Sequence, residues 1–214
     1  MAAEFIHKSV LYAETIQALA IKPDGCYVDG TTGGGGHSAG ILAALGVGGR
    51  LYCLDRDQDA LQAARGRLEQ VGSAGRFVLC HSVYSIFDRV LQEQGEAGVE
   101  GILLDLGVSS WQLDQKERGF SYRFEGPLDM RMDQSQGTTA ADLLADIDER
   151  ELSRIFSVYG EEHNARRIAR ALLQYRDETG PIRDTMQLAE LIAAAQPARS
   201  RREKGHPAKR CFQA

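Results

Sequence analysis

The feature that most constrains the fold is a glycine-rich stretch near the start of the chain, Asp29-Gly-Thr-Thr-Gly-Gly-Gly-Gly-His-Ser38. An apolar run ending at Val28 precedes it, and a helix-like run over 39–45 follows it. Consecutive glycines bury no side chain and weaken any regular element that they interrupt, so packing does not explain them. A glycine turn between a strand and a helix leaves backbone N–H groups free for a ligand. We therefore expect a nucleotide-like cofactor over this loop rather than a mobile surface linker.

Short apolar runs alternate with helical patterns through the first half of the chain. Four of these runs are predicted strands: 26–29, 50–55, 76–80 and 101–105. Nearly continuous apolar strands that alternate with helices indicate a parallel sheet covered on both faces. The acids Asp29, Asp55 and Asp105 would then share the carboxyl edge of the sheet, which is where open α/β sheets bind ligands.

Two classes of cofactor fit the glycine loop. The spacing Gly34-x-Gly36-x-x-Ala39 satisfies a loose dinucleotide fingerprint, and Asp55 lies 19 residues beyond Gly36. An acid at the end of the second strand can accept hydrogen bonds from the ribose hydroxyls of NAD or of S-adenosylmethionine. The alternative for Asp55 is to cap the next helix, but Asp57 is available for that cap.

The strand-end acid Asp105 favours S-adenosylmethionine. An acid at this position of a methyltransferase sheet lies beside the sulfonium carbon, where it can accept a hydrogen bond from an attacking amino group. Direct methyl transfer needs an aligned nucleophile, so positioning supplies most of the rate. The alternative for Asp105 is to open a turn. We expect His37 to contact the cofactor's carboxylate, or to make a structural hydrogen bond, rather than to act as a general base.

Composition and charge narrow the class of protein. The chain is long enough for one core with a small second domain, no apolar stretch could cross a bilayer, and no secretory signal is visible. The four cysteines are far apart, which favours buried thiols over a metal site and indicates a cytoplasmic location. The net charge is −5, yet residues 163–214 carry 11 Lys and Arg against 5 Asp and Glu. This basic end predicts either an anionic partner or a solvated helix face.

The second half of the chain has a different pattern. Residues 106–136 lack helix or strand periodicity, and helical patterns without strands follow from Thr138. Asp148 and Thr185 are predicted helix caps. Trp111, the only tryptophan, could stack on a nucleic-acid base or close the core beneath a loop.

Three arginines, Arg118, Arg123 and Arg131, lie among aromatic residues. Arginines interleaved with aromatics are typical of an RNA-contact surface. A buried ion-pair network with Asp129 and Asp133 is the alternative.

Several motifs taken together resemble one family. They are the glycine loop, Asp55-Arg-Asp57, Asp105-Leu-Gly-Val-Ser-Ser-Trp-Gln-Leu-Asp114, Arg118-Gly-Phe-Ser121, Gly126-Pro-Leu-Asp-Met-Arg-Met-Asp133, Tyr159-Gly-Glu-Glu162, Arg167-Ile-Ala169 and His206-Pro-Ala-Lys-Arg-Cys-Phe-Gln-Ala214. The resemblance covers essentially the whole chain, and the run that starts at Gly126 is its most specific part. The family is that of the bacterial small-subunit ribosomal RNA cytosine-N4 methyltransferases, known as MraW or RsmH.

The resemblance implies an α/β fold: a Rossmann-like S-adenosylmethionine-dependent methyltransferase sheet with an inserted all-helical domain. Residues 1–109 would form the cofactor-binding domain, 110–208 the helical substrate-recognition insertion, and 209–214 the start of a return to the first domain. Family members continue beyond the motif that ends at Ala214, so we expect the last strands of the sheet to be missing from this chain. An open sheet edge would leave it less stable than a longer form.

The resemblance also implies a reaction, methyl transfer from S-adenosyl-L-methionine to the exocyclic N4 of a cytidine in the 16S rRNA of the small ribosomal subunit. Asp105 would be the catalytic residue. The cofactor contacts would be Gly35, Gly36, His37, Asp55, Tyr84, Asp105 and Gln112. We expect no metal and no membrane association, and a homodimer is left open. The alternatives are a non-catalytic RNA- or ribosome-binding fragment and, less favoured, an NAD-dependent oxidoreductase.

Overall fold

The strands of the first half pair into one parallel sheet. The computed structural model of the chain describes residues 9–197 and 205–214. The strands are β1 (Cys26–Asp29), β2 (Arg50–Asp55), β3 (Arg76–His81) and β4 (Gly101–Leu103). They lie in the order β3-β2-β1-β4, and every pairing is parallel. The predicted parallel α/β sheet is therefore confirmed, and the chain changes direction across it at β1, the kind of switch point at which such sheets bind ligands.

The helices fall into two groups along the chain. Those of the first half are α1 (Tyr12–Ala18), α2 (Gly36–Ala44), α3 (Gln58–Leu68) and α4 (Phe87–Glu93). Those of the second half are α5 (Ser110–Asp114), α6 (Ala140–Asp146), α7 (Glu149–Val158), α8 (Ala165–Glu178), α9 (Thr185–Ala195) and α10 (Lys209–Gln213). Single turns of 3₁₀ helix cover Tyr84–Ile86 and Lys116–Arg118.

Helices cover both faces of the sheet. Successive strand residues point to opposite faces, so neighbouring positions of β1 enter different cores. On one face Tyr27 is in a buried cluster with Ile41 of α2 and Leu68 of α3. On the other face Val28 is in a buried cluster with Leu91 of α4. This double cover explains why the central strands are nearly continuous apolar runs.

The described residues divide into two compact units, with the division between Ser109 and Ser110. The second unit is helical and has its own core, in which Leu172 of α8 and Ile192 of α9 are both fully buried. Helix α10 adds Cys211 to the same core. The predicted return of residues 209–214 to the first domain stays a prediction.

Aspartate caps begin several helices. Asp57 caps α3 and Asp148 caps α7, each through a side-chain oxygen that accepts a backbone hydrogen bond, as predicted. The predicted cap Thr185 is wrong, because Thr185 is the first helical residue of α9. The cap is Asp184, whose carboxylate accepts from the backbone N–H of Gln187 at 2.8 Å. The prediction was one residue too late in the sequence. A capping side chain must precede the helix so that it can reach the second or third N–H of that helix.

The fourth strand is shorter than the sequence predicts. It ends at Leu103, so Asp105 lies in the loop beyond the strand rather than at its end. Among the described strands β4 pairs with β1 alone, and Ile102 and Leu104 are 40% and 44% exposed.

Within the part of the chain that the structure describes, no helix is long and apolar enough to span a membrane. In the same residues no cluster of three or more His, Cys, Asp and Glu side chains could hold a metal ion. The cysteines are free thiols.

Candidate active site

The glycine loop leaves β1 at Asp29 and enters α2 at Gly36. Gly33 and Gly35 have φ values of +49° and +75°, a conformation that glycine adopts without strain. Gly35 is the N-cap of α2 and, as a glycine, makes no side-chain cap bond to this helix. The N-cap residue therefore leaves the backbone N–H groups of the first turn without a cap of its own.

Asp55 closes the glycine loop from the neighbouring strand. Its two carboxylate oxygens accept hydrogen bonds from the N–H of Gly33 at 2.8 Å and from the N–H of Asp57 at 2.9 Å. Burial raises the pKa of the Asp55 carboxyl above its ordinary value, while these N–H groups oppose the rise. The cap of α3 belongs to Asp57, so the competing role for Asp55 as that cap is wrong. A ribose contact for Asp55 remains a prediction.

Asp29 is the site residue that sequence reasoning placed at the sheet edge but did not include among the functional residues. Asp29 is 1% exposed. One oxygen accepts from the N–H of Thr31 at 3.1 Å and the other from the hydroxyl of Ser38 at 2.6 Å. Burial raises the pKa of Asp29 to about 6, against the lowering effect of these two donors. Its position directly before the glycines was the signal that could have identified it.

Asp105, the predicted catalytic residue, is exposed. Its backbone N–H donates to the hydroxyl of Thr31 at 2.6 Å, which ties the loop after β4 to the glycine loop. All three acids therefore connect to residues of the glycine-rich stretch 29–38: Asp29 to Thr31 and Ser38, Asp55 to Gly33, and Asp105, through its backbone, to Thr31.

His37 makes a structural contact with the N-terminal segment. Its Nε2 lies 3.1 Å from the carbonyl oxygen of Val10, which can only accept, so Nε2–H is the donor. The imidazole also stacks on the ring of Tyr12, with centroids 6.0 Å apart. Of the two roles predicted for His37, the structural hydrogen bond is present, and a contact to a cofactor stays a prediction.

Tyr84 lies above the start of the glycine loop. A Cβ added at Gly30 would be 2.9 Å from the Cβ of Tyr84 and 2.6 Å from a methyl group of Leu104. The side chains of Tyr84 and Leu104 are both 44% exposed. Glycine at position 30 thus lets two apolar groups from different loops approach the end of β1.

Other predicted residues belong to the second unit. Gln112 is 4% exposed on α5, and Trp111 on the same helix is half-buried. Arg131 donates through Nε and Nη2 to both carboxylate oxygens of Asp129, at 2.9 and 2.8 Å. This bidentate pair agrees with the ion-pair alternative for that arginine.

The other two arginines of that group differ from each other. Arg118 is buried, and its guanidinium donates to the carbonyls of Arg131 and Met132 at 3.2 and 2.9 Å. Arg123 is exposed. An RNA-facing role is thus compatible with the exposure of Arg123, whereas Arg118 holds the backbone of the Gly126–Asp133 run.

Comparison with known proteins finds one family over nearly the whole chain. A family model described as the MraW methylase family matches residues 4–214. The chain is 49% identical over 215 residues to a protein from Shewanella amazonensis, covering 100% of this chain and 66% of that protein. It is 51% identical over 209 residues to a protein from Methylobacillus flagellatus, covering 97% and 63%. A protein from Trichlorobacter lovleyi is 50% identical over 211 residues, covering 99% and 66%.

All three relatives are named ribosomal RNA small subunit methyltransferase H. The chain spans 63–66% of the length of these curated relatives.

Proposed function

The chain belongs to the MraW methylase family, and we propose on that basis that it is an S-adenosylmethionine-dependent methyltransferase acting on the exocyclic N4 of a cytidine in 16S rRNA. The observation that carries the proposal is the family match over residues 4–214. Relatives at about half identity are named for methylation of small-subunit ribosomal RNA. We place the reaction in the cytoplasm and leave a homodimer open.

The glycine loop suits the proposed methyl donor. S-adenosylmethionine carries a carboxylate, which N–H groups at a helix start can hold, and a ribose, which needs an acceptor. The N-cap of α2 is a glycine and makes no side-chain cap bond, and a Cβ at Gly33 would meet nothing closer than the Thr31 carbonyl oxygen at 4.0 Å. An ionised carboxylate has about four lone-pair positions. Asp55 uses two of them on the N–H groups of Gly33 and Asp57, so it retains capacity for ribose hydroxyls.

We assign the donor's contacts accordingly. Gly35 and Gly36 would hold its carboxylate end, Asp55 its ribose, and the ring of Tyr84 its adenine. When bound, S-adenosylmethionine supplies an electrophilic methyl group on a sulfonium centre. Contacts from His37 and Gln112 rest on the family resemblance alone.

Asp105 would act on the amine that receives the methyl group. The lone pair of an exocyclic base amine is delocalised into the ring, and an acceptor on its N–H groups localises that lone pair on nitrogen. The exposed carboxylate of Asp105 is able to serve as that acceptor. The tether to Thr31 fixes the backbone of Asp105 relative to the loop that would hold the donor, so the role is mainly one of positioning.

The helical unit offers a cationic surface for the ribosomal RNA. Arg166, Arg167 and Arg170 are exposed on α8. Glu149 contacts Arg166 at 3.5 Å and Arg170 at 3.2 Å, so one carboxylate faces two guanidinium groups. An excess of exposed arginine supports binding to phosphates, with an affinity that falls as salt rises.

Transfer of a labelled methyl group to small ribosomal subunits, followed by mass mapping of the modified nucleoside, tests the proposal. We expect label on N4 of one cytidine, and a loss of about a hundredfold in Asp105→Asn. Asp88→Asn, an exposed acid on α4, is the matched control and should transfer normally.

Calorimetry separates the alternatives. Binding of S-adenosylhomocysteine and not of NAD supports the methyltransferase, whereas the reverse supports the oxidoreductase. A folded chain that retains ribosomal RNA but transfers no methyl group would support the non-catalytic alternative.

A further inference from the structure

Asp29 connects the two ends of the glycine loop. The loop leaves β1 immediately after Asp29 and returns as the first turn of α2, in which Ser38 is the third residue. One carboxylate oxygen accepts from the N–H of Thr31 on the outgoing side, and the other accepts from the hydroxyl of Ser38 on the returning side. A single side chain thus spans the segment between these two residues.

The burial of this carboxylate needs an explanation. An ionised group that is 1% exposed is costly unless it is hydrogen-bonded. A neutral side chain at the end of β1 would complete the same sheet without that cost. The donors around Asp29 belong to the loop and to the helix that follows it. The carboxylate therefore fixes the conformation of the loop.

We propose that Asp29 is a positioning residue for the methyl-donor site: its carboxylate fixes both ends of the glycine loop, so that the loop amides and the first turn of α2 keep a donor-binding conformation. The inference rests on the proposed function, since it assigns the loop to that donor. Asp29 acts through the backbone and is not assigned any contact with the reacting atoms.

The surroundings make this clamp sensitive to protonation. The titratable groups around Asp29 are Asp55, which raises its pKa, and His37, which lowers it. The thiol of Cys53 donates to the Ser38 hydroxyl at 3.5 Å, and Ser38 donates onward to Asp29 at 2.6 Å. An ionised Asp29 accepts both loop bonds. A protonated one presents an O–H in place of an acceptor and weakens the clamp. With its pKa raised to about 6, Asp29 would hold the loop at neutral pH and release it in mild acid.

The first test measures S-adenosylhomocysteine affinity by calorimetry from about pH 5 to about pH 8. In wild type we expect affinity to fall as pH drops through about 6. In Asp29→Asn the affinity should not change with pH in this range. Ser38→Ala should weaken binding about tenfold at neutral pH, because a hydrogen bond to a charged group is lost. The fall in affinity should also occur at a higher pH in Ser38→Ala, because the lost hydroxyl of Ser38 favoured the ionised form of Asp29. Ser38→Thr, which keeps the hydroxyl, should restore binding.

A change in the pH at which affinity falls in Ser38→Ala would separate this role from a merely structural one. It would also exclude titration of Asp55 as the cause, because no hydrogen bond described above joins Ser38 to Asp55. Ser157→Ala, an exposed serine on α7, is the control and should match wild type. If Asp29→Asn does not fold, Ser38→Ala and Ser38→Thr are sufficient to test the proposed role of Asp29. The inference would be overturned if Ser38→Ala bound S-adenosylhomocysteine with wild-type affinity and lost that affinity at the same pH as wild type.

A second readout needs no ligand. Hydrogen exchange of the peptide over 30–37 in the free protein should be about tenfold faster in Ser38→Ala than in wild type or Ser38→Thr. Equal exchange in all three would overturn the clamp. Faster exchange in a folded protein that binds no S-adenosylhomocysteine would instead keep the clamp and contradict the proposed function.

Discussion

The backbone N–H of Asp105 donates to the hydroxyl of Thr31 over 2.6 Å. The two residues are far apart in sequence, but β4 and β1 are neighbours in the sheet, so the loops that follow these strands meet at its carboxyl edge. The predicted catalytic acid is thereby held by a residue of the glycine loop.

Replacing Thr31 by Val should misplace Asp105 without disturbing the fold. Valine keeps the branched shape and the backbone N–H that bonds Asp29, but it removes the hydroxyl acceptor. One lost hydrogen bond predicts a fall of about three- to tenfold in kcat/KM for methyl transfer, with little change in Tm. Thr31→Ser keeps the acceptor and should behave as wild type. Equal rates for the two variants would show that the tether does not position Asp105.

Replacing Gly35 by Ala should destabilise the protein. Its φ of +75° is unfavourable for alanine by about 1 kcal/mol, and the new Cβ would lie 3.0 Å from the backbone Cα of Ala64. We expect Tm to fall by several degrees and S-adenosylhomocysteine affinity to fall with it.

Gly66 provides the matched comparison. It is exposed within α3, and a Cβ there would have nothing within 4 Å. Gly66→Ala should therefore stabilise the protein by about 0.5–1 kcal/mol, because alanine is the better helix former. Thermal melts of both variants check the pair, and a Gly35→Ala protein as stable as Gly66→Ala would contradict the assignment of strain to Gly35.

The stability of the protein should depend on pH through Asp29. Its pKa is raised from 3.8 to about 6 in the folded state, so the folded protein binds this proton more tightly than the unfolded chain does. The associated stabilisation is fully present below about pH 4 and is lost as pH rises through about 6.

Asp29→Asn carries no titrating group at this position and should lack that dependence. Relative to this variant, the free energy of unfolding of wild type should fall by on the order of 3 kcal/mol between about pH 4 and about pH 7. Urea unfolding at several pH values measures the difference. Parallel curves for the two proteins would mean that Asp29 titrates at its ordinary value.

The bidentate pair of Arg131 and Asp129 should contribute to stability in the second unit. The hydrogen bonds from Arg131 are the main cause of a lowered pKa for Asp129. A lowered carboxyl pKa gives stability that is present above the ordinary value and is lost as pH falls through the folded one. Asp129→Asn should therefore lower Tm at neutral pH, and its difference from wild type should disappear in strong acid.

Glu151 offers a contrasting ion pair. It bonds Arg154 at 2.7 Å, but both side chains are about half exposed. Exposed pairs contribute little because solvent screens them. Glu151→Gln should therefore leave Tm unchanged at every pH. Arg154 also bonds both carboxylate oxygens of Glu151, so the two pairs differ in exposure rather than in geometry. A loss of Tm in Glu151→Gln as large as that in Asp129→Asn would show that exposure does not set the contribution of such a pair.

The candidate site divides between what sequence could and could not predict. The sequence predicts that Asp57 rather than Asp55 caps α3, and the structure agrees, because capping depends on local chain geometry. The anchoring of His37 by Val10 and Tyr12 was open, because the partners come from a segment that precedes the sheet. The same reason explains Asp29, whose role depends on Ser38 reaching back across the glycine loop.

By itself the sequence determined the parallel sheet, the glycine loop at its carboxyl edge, the change to an all-helical second half and the family. The sheet, the loop and the helical half follow from periodicity and from residue types whose backbone preferences are local, and the family follows from the resemblance of the motifs. Only the tertiary structure decided which donors Asp29 and Asp55 accept from, that β4 ends before Asp105, and that Asp29 is buried with a raised pKa. Those properties depend on desolvation and on contacts between distant segments, which exist only after the chain has packed.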